Sequence, residues 1–169
     1  MKLTTFLLLL TSWAALAVTE EQINKNFKVA PGGALVVDVS LGSIDVTTNA
    51  TDEVAVDVWR KITRKNKPDE EQFFRENPVQ FLHEGDTVTV RCRQKQEKTR
   101  WFNWGWGGNR NEAKFIVRVP ARFNADLHTS GGPIAASDLT GKVKADTSGG
   151  GLKFTRLHGP LTGDTSGGQ

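Results

Sequence analysis

Apolar residues recur at alternate positions in short runs along this chain, the period of a strand that buries one face. Leu35, Val37 and Val39 share a face, with Val36, Asp38 and Ser40 on the other. Val54, Val56 and Val58 repeat the alternation, as do Val88, Val90 and Cys92, and then Phe115, Val117 and Val119. Phe27-Lys28-Val29 and Ala34 to Ser40 are predicted strands separated by the turn Pro31-Gly32-Gly33. Val79 to His83 and Thr87 to Arg93 are predicted to form a hairpin across Glu84-Gly85-Asp86. Arg60 to Pro68 reads as a basic turn or loop. One short helix is predicted over Asp69 to Glu76, with acids early, Phe73-Phe74 in the middle and Pro78 beyond its end.

From Asn124 onward the alternation becomes periodic. Thr129-Ser130-Gly131-Gly132 recurs as Thr147-Ser148-Gly149-Gly150 and as Thr165-Ser166-Gly167-Gly168, an 18-residue repeat without slippage. Gly132, Gly141, Gly150, Gly159 and Gly168 stand 9 apart, and Ile134, Val143, Leu152 and Leu161 keep the same beat. Each 9-residue unit reads as a short strand closed by a turn, where glycine reaches φ > 0 at little cost. Leu41-Gly42-Ser43-Ile44-Asp45-Val46 has the same grammar in a less regular form. One unit cannot bury its apolar face alone, but stacked copies build a continuous core. The expected fold is therefore all-β: a β-solenoid with 18-residue repeats, and an irregular N-terminal half carrying the helix. A meander of hairpins is the competing reading. The chain stops just after a third Thr-Ser-Gly-Gly, so the expectation is a repeat cut in the middle, with further rungs to follow.

Composition adds the compartment. Of 169 residues, 37% are hydrophobic and 24% charged, which fits one globular or solenoid domain and excludes a disordered chain. Met1-Lys2, an apolar run from Leu3 to Leu16 and the small-x-small pattern Ala15-Leu16-Ala17 read as a cleaved signal peptide over residues 1–17. The domain then occupies residues 18–169, exported to the periplasm, the cell surface or the outside, with no transmembrane segment once the leader is removed. Cys92, the single cysteine, falls on an apolar face and reads as a buried small hydrophobe.

The most informative stretch outside the repeats is Lys98 to Arg110. Trp101, Phe102, Trp104 and Trp106 lie within six residues, among glycines and flanked by Arg100 and Arg110. Such a segment can stack on sugar rings, insert at a membrane interface or meet an acidic polymer; the competing reading is a hydrophobic flap folded onto the domain. The 101–104–106 spacing fits neither strand alternation nor a long helix, so at least one indole is expected to be exposed. Nucleic acid is the weakest partner, since no binding motif for it is present.

Catalysis finds little support. His83, His128 and His158 have no metal-ligand spacing, and no cofactor is implied. Asp146 and Asp164 would stack one rung apart, but the calcium-binding glycine pattern of β-rolls is missing. Asp138, Asp146 and Asp164 therefore read as turn residues, as do Ser130, Ser148 and Ser166. Asn49-Ala50-Thr51 is a glycosylation sequon.

The order of Phe27-Lys28-Val29, Leu41 to Val46, the Val54–Val58 strand, Val117-Arg118-Val119-Pro120 and the Ser-Gly-Gly repeats around Leu139-Thr140-Gly141 resembles the bacterial putative-adhesin domains of unknown function. These are the β-strand-repeat type related to the head domain of autotransporter adhesins. The resemblance implies an exported or envelope protein with a right-handed β-helix-like fold and carries over no catalytic residues. The Trp-rich insertion between Arg93 and Lys114 departs from the family pattern.

The expected function is a non-enzymatic exported adhesion or surface-binding module, its contact residues being Arg100, Trp101, Phe102, Trp104, Trp106 and Arg110. Its partner would be a cell-surface glycan, a cell-wall polymer or an envelope protein. Two alternatives stand beside it: a structural envelope-associated element with no ligand of its own, and a carbohydrate-active β-helix enzyme.

Overall fold

A computed structural model describes residues 18–94 and 110–168. Twelve strands and one helix follow in chain order: β1 (Val18–Lys28), β2 (Ala34–Val39), β3 (Ser43–Asn49), β4 (Glu53–Thr63), α1 (Lys67–Glu76), β5 (Gln80–Glu84), β6 (Thr87–Cys92), β7 (Arg110–Pro120), β8 (Asn124–Thr129), β9 (Ile134–Ser137), β10 (Val143–Thr147), β11 (Leu152–Thr155) and β12 (Leu161–Thr165). They form two six-stranded sheets, ordered β1-β4-β7-β3-β9-β11 and β12-β10-β8-β2-β6-β5. The alternating residues of both sheets point inward and make one core. Leu35, Val37, Val46, Val54, Val56, Val88, Val90, Phe115, Val117, Leu127 and Ile134 are all fully buried.

This architecture corrects the expected solenoid. A β-helix coil needs every rung to run parallel, whereas both sheets here are mixed. β1 pairs antiparallel with β4, β4 with β7, and β5 with β6. The remaining ladders are parallel. The 18-residue period survives as a pairing register: Ala125 lies beside Val143 and Val143 beside Leu161, while Ile134 lies beside Leu152. Periodicity thus describes how neighbouring strands align in the second half of the chain, and the first half closes the two sheets differently.

The glycine beat also has a different cause from the one expected at two of its positions. Gly132, Gly141 and Gly159 do adopt positive φ, but Gly150 and Gly168 do not. What requires glycine at 150 and 168 is the approach of successive turns. A Cβ on Gly150 would fall inside contact distance of the Gly132 carbonyl, and one on Gly168 would meet the Gly150 carbonyl in the same way. The turns stack backbone on backbone, and any side chain at that column would push them apart. The threonine of each phrase ties the stack: Thr147 Oγ1 donates to Gly132 O at 2.9 Å and Thr165 Oγ1 to Gly150 O at 2.7 Å. Thr129 does the same to Gly42 O at 3.1 Å, which extends the ladder to the turn before β3.

Two segments differ from their predicted form. The stretch expected to be a basic loop from Arg60 begins instead as the last residues of β4, with Arg60 and Ile62 buried. The alternation of β4 continues through Arg60 because the guanidinium finds partners inside. β1 extends back to Val18 through a polar run, Glu20 to Asn26, which carries one apolar residue, Ile23. An edge strand needs little apolar pattern, since its outer side meets water.

The helix forms where expected, with Asn66 as N-cap, its side chain accepting from Asp69 N at 3.0 Å, and Pro68 in the first turn. α1 lies over the end of the sandwich where β1 starts and β4 and β6 finish. Glu70 is fully buried there, accepting from Thr19 Oγ1 at 2.6 Å and from Arg64 N at 2.8 Å. Among the described residues, no helix is long and apolar enough to cross a membrane.

Candidate binding surface

The Trp-rich segment lies in sequence between β6 and β7. Trp101, Phe102, Trp104, Trp106 and Arg100 lie outside the described residues, as does the leader 1–17. Arg110, the sixth candidate, is the first residue of β7 and is exposed. The segment's two ends belong to different sheets yet share one place: Cys92 and Gln94 on the one side, and Asn111, Glu112 and Ala113 on the other, line the same narrow crevice beside Phe73 and Phe74 of α1.

That crevice is organised by Arg60. Its guanidinium forms an ion pair with Glu21, donates from Nη1 to the Asn77 carbonyl at 2.6 Å, and sits 4.8 Å from the centre of the Phe74 ring. Nη1 also lies 3.5 Å from Cys92 Sγ. Burial pushes the Cys92 thiol up, and the neighbouring Arg60 charge only partly offsets it. The cysteine is thus a buried thiol held in its unreactive form, in keeping with its place on the apolar face of β6.

The surface around the two ends is charged, but much of that charge is already paired. Arg93 Nε donates to Asp38 Oδ2 at 2.8 Å, its Nη2 lies 2.6 Å from Oδ1 as an ion pair, and the hydrogen bond raises the Arg93 pKa. Farther along β7, away from the segment, Arg118 reaches Asp57 at 2.6 Å. Lys61 and Trp59 both donate to Glu20, at 3.1 and 3.4 Å, and hold its carboxyl below the ordinary range.

The repeat half places its polar residues in register without building a site. Asp146 and Asp164 do stand side by side on β10 and β12, and His128 Nδ1 lies 3.5 Å from Asp146. No group of three or more metal-ligating side chains exists among the described residues. Asp138 has φ 62° and pairs with Arg156, itself at φ 50° and one repeat later. That ion pair lowers the Asp138 pKa and raises that of Arg156. Ser130, Ser148 and Ser166 are exposed turn residues.

One surface feature was not read from the sequence. Trp59, on the outer face of β4, is half-buried and lies opposite Lys114 of β7, whose Nζ is 5.6 Å from its ring centre. β7 extends beyond the start of β3, because Ser43 pairs with Lys114 and residues 110–113 have a strand partner only on β4. The resulting notch has a volume of about 270 Å³ and is lined by Trp59, Ser43, Asn111, Glu112 and Lys114, with the glycines 42 and 131. The signal in the sequence was an aromatic at an outward position of an alternating strand, between Val58 and Arg60.

The chain matches no family model and no curated protein. Its shape is similar to a solved structure described as a putative cell adhesion protein, from Clostridium sporogenes, at 9% identity and a TM-score of 0.39, covering 88% of this chain and 100% of that one. A putative adhesin from Bacteroides fragilis shares 12% identity at a TM-score of 0.40, with 86% of this chain and 61% of that one covered. A putative lipid binding protein from Parabacteroides distasonis shares 12% identity at a TM-score of 0.30, with 85% and 62% covered.

Proposed function

We propose that this chain is a non-enzymatic, exported surface-binding module that engages a cell-surface glycan, cell-wall polymer or envelope protein through its Trp-rich segment. The observation that supports it is the way that segment is mounted. Gln94 and Asn111, which flank the segment in sequence, line one crevice at one end of the two-sheet core. Scaffolds that carry function on loops are built in this way. Arg93 and Glu20 beside the crevice are already paired, with Asp38 and Lys61, while Arg110 adds a cation where β7 begins.

Replacing Trp101, Trp104 and Trp106 together by Ala tests the reading. Binding to cell-wall or glycan material is expected to be abolished while the melting temperature stays nearly unchanged. Each exposed ring carries on the order of 1 kcal/mol of contact energy at such a surface. Lost stability with unchanged binding would show that the segment packs onto the domain and recognises nothing.

A further inference from the structure

We propose that the end of the two sheets formed by β11, β12 and the Thr165–Gly168 turn is a docking site for a segment of a separate polypeptide. The segment carries the same 18-residue strand-turn-strand repeat and adds in parallel register. This goes beyond the surface-binding reading and uses none of the residues of the Trp-rich segment.

Three observations converge on such a partner. The first is a gradient of burial along core-facing positions. One unit inward, Ile134, Ala136, Leu139, Val143 and Ala145 are each 2% exposed or less. At the end, Leu152 stands beside Ile134, Phe154 beside Ala136 and Leu161 beside Val143. Leu152 and Phe154 are only half-buried, as is Leu157, and Leu161 is 46% exposed. These residues hold inward positions of their strands, so what would cover them is another layer of the same kind.

The second is a pair of strand edges with a register already written on them. β11 and β12 are edge strands of the two sheets, paired on one side only, with β9 and β10. An edge strand offers a row of N–H and C=O groups to an incoming strand, and charge is the usual protection. β12 carries one charge, Asp164, on its outward side. Between existing units, Ser148 N donates to Thr129 O at 3.3 Å and Ser166 N to Thr147 O at 3.2 Å. The hydroxyls of Thr147 and Thr165 bond the carbonyls of Gly132 and Gly150. One step on, the matching acceptors are Thr165 O and Gly168 O, and they fit a serine N–H and a threonine hydroxyl at the same spacing.

The third is the chemistry of the fit. The Gly132, Gly150 and Gly168 turns approach so closely that a Cβ at 150 or 168 has no room, and a segment laid on Gly168 in the same way needs glycine there. Arg156 is exposed and pairs with Asp138, 18 residues earlier, at 2.8 Å. An aspartate at the same place in an incoming unit would flank its other side. A lipid or other apolar small molecule would cover Leu161 but leave the strand edges unpaired. An unrelated strand would be held off at the glycine column. Residues 133–150 of this chain meet every requirement, with Ile134 and Val143 for the core, Asp138 for Arg156, and Thr147, Ser148 and Gly150 for the turn.

The test is a titration of a fluorophore-labelled synthetic peptide of residues 133–150 with the full chain, read by anisotropy. Saturable binding is expected, with slowed amide exchange in β12, residues 161–165, followed by NMR. Gly150→Val in the peptide is expected to weaken binding about tenfold or more, and Thr147→Val several-fold. Leu161→Lys in the protein is expected to weaken it about tenfold. Should Leu161→Lys fail to fold, the two peptide variants and the amide exchange still decide. Absence of saturable binding overturns the proposal. So does equal binding of the Gly150→Val peptide, and so does unchanged exchange in residues 161–165, which would mean a peptide held at another edge. Dimers of the chain alone that Leu161→Lys dissolves would give this end to a second copy and overturn it as well. The Trp101/Trp104/Trp106 triple alanine variant is expected to bind the peptide as wild type does, so the two readings fail separately.

Discussion

The two halves of this domain hold their strands together by opposite means. Around α1 the contacts are unlike one another: a buried carboxylate on a threonine and a backbone N–H, a guanidinium between Glu21, a carbonyl and an aromatic ring, and an antiparallel ladder eleven residues long between β1 and β4. In the repeats the contacts are copies. Glycine lies on glycine, threonine bonds the turn before it, and small side chains sit in columns at 18-residue spacing. The first arrangement depends on a few irreplaceable partners, and the second on sameness. Where partners are unique, one substitution orphans a buried group. Where they repeat, one substitution breaks a stacking distance.

The contrast is sharpened most by Arg60. Arg60→Ala removes the buried cation that pairs with Glu21 and donates to the Asn77 carbonyl, and is expected to lower stability by about 3 kcal/mol, read by urea denaturation. Arg60→Lys should recover only part of this, since an ammonium cannot make both contacts and rest on Phe74 as a planar group does. A loss below about 1 kcal/mol for Arg60→Ala would mean the pair behaves as a surface salt bridge, and the description of this end would be wrong.

Next comes Gly150→Ala beside Gly149→Ala. At 150 the new methyl meets the Gly132 carbonyl, and a loss of about 2 kcal/mol is expected from overpacking. At 149 the nearest atom is Ser130 O at 3.5 Å, ordinary contact, so stability should stay within about 0.5 kcal/mol. Equal effects at the two positions would break the claim that stacking, and not backbone freedom, selects the glycine at 150.

A smaller effect is expected at the outer strand of the repeats. Leu161 is 46% exposed, so Leu161→Ala should cost less than about 1 kcal/mol, whereas its column neighbour Val143, 1% exposed, should cost about 2 when changed to Ala. Thermal or chemical denaturation of the two variants side by side measures the gradient.

The smallest is electrostatic. Arg156 depresses the Asp138 pKa, so the pair stabilises the fold above the ordinary aspartate range and is lost as pH falls through the lowered value. Arg156→Gln should move the Asp138 carboxyl midpoint, followed by NMR, back upward. The stability difference from wild type should shrink in acid.

Most strands and the helix were legible because their signals are local. Alternation marked β2, β4 and β6, and the early acids and Pro78 marked α1, although its cap Asn66 and Pro68 had been read as loop. The pairing direction was not legible. Nothing in Val54, Val56 and Val58 says whether β4 runs with or against β7, and extending the repeat grammar backward gave a coil where two mixed sheets form. Arg60 looked like the start of a loop because a charged residue at an inward position is identified only by its partners, which come from Glu21 and Asn77. The register of the second half was readable to the residue, since Thr-Ser-Gly-Gly marks it three times. The notch beside Trp59 went unread because it exists only where β7 outruns β3, a matter of register between distant strands.

The ladder of turns also sets what kind of length change the second half can absorb. Successive strands alternate between the sheets, β8, β10 and β12 on one and β9 and β11 on the other, so a single strand-and-turn unit is not interchangeable with its neighbour. Loss or gain of one 9-residue unit would deliver every later side chain to the opposite sheet, whereas a change of a whole 18-residue repeat returns each to an equivalent place. Duplication and deletion in this stretch are therefore quantised, and two units together are the smallest step that a descendant sequence can take without rewiring its core.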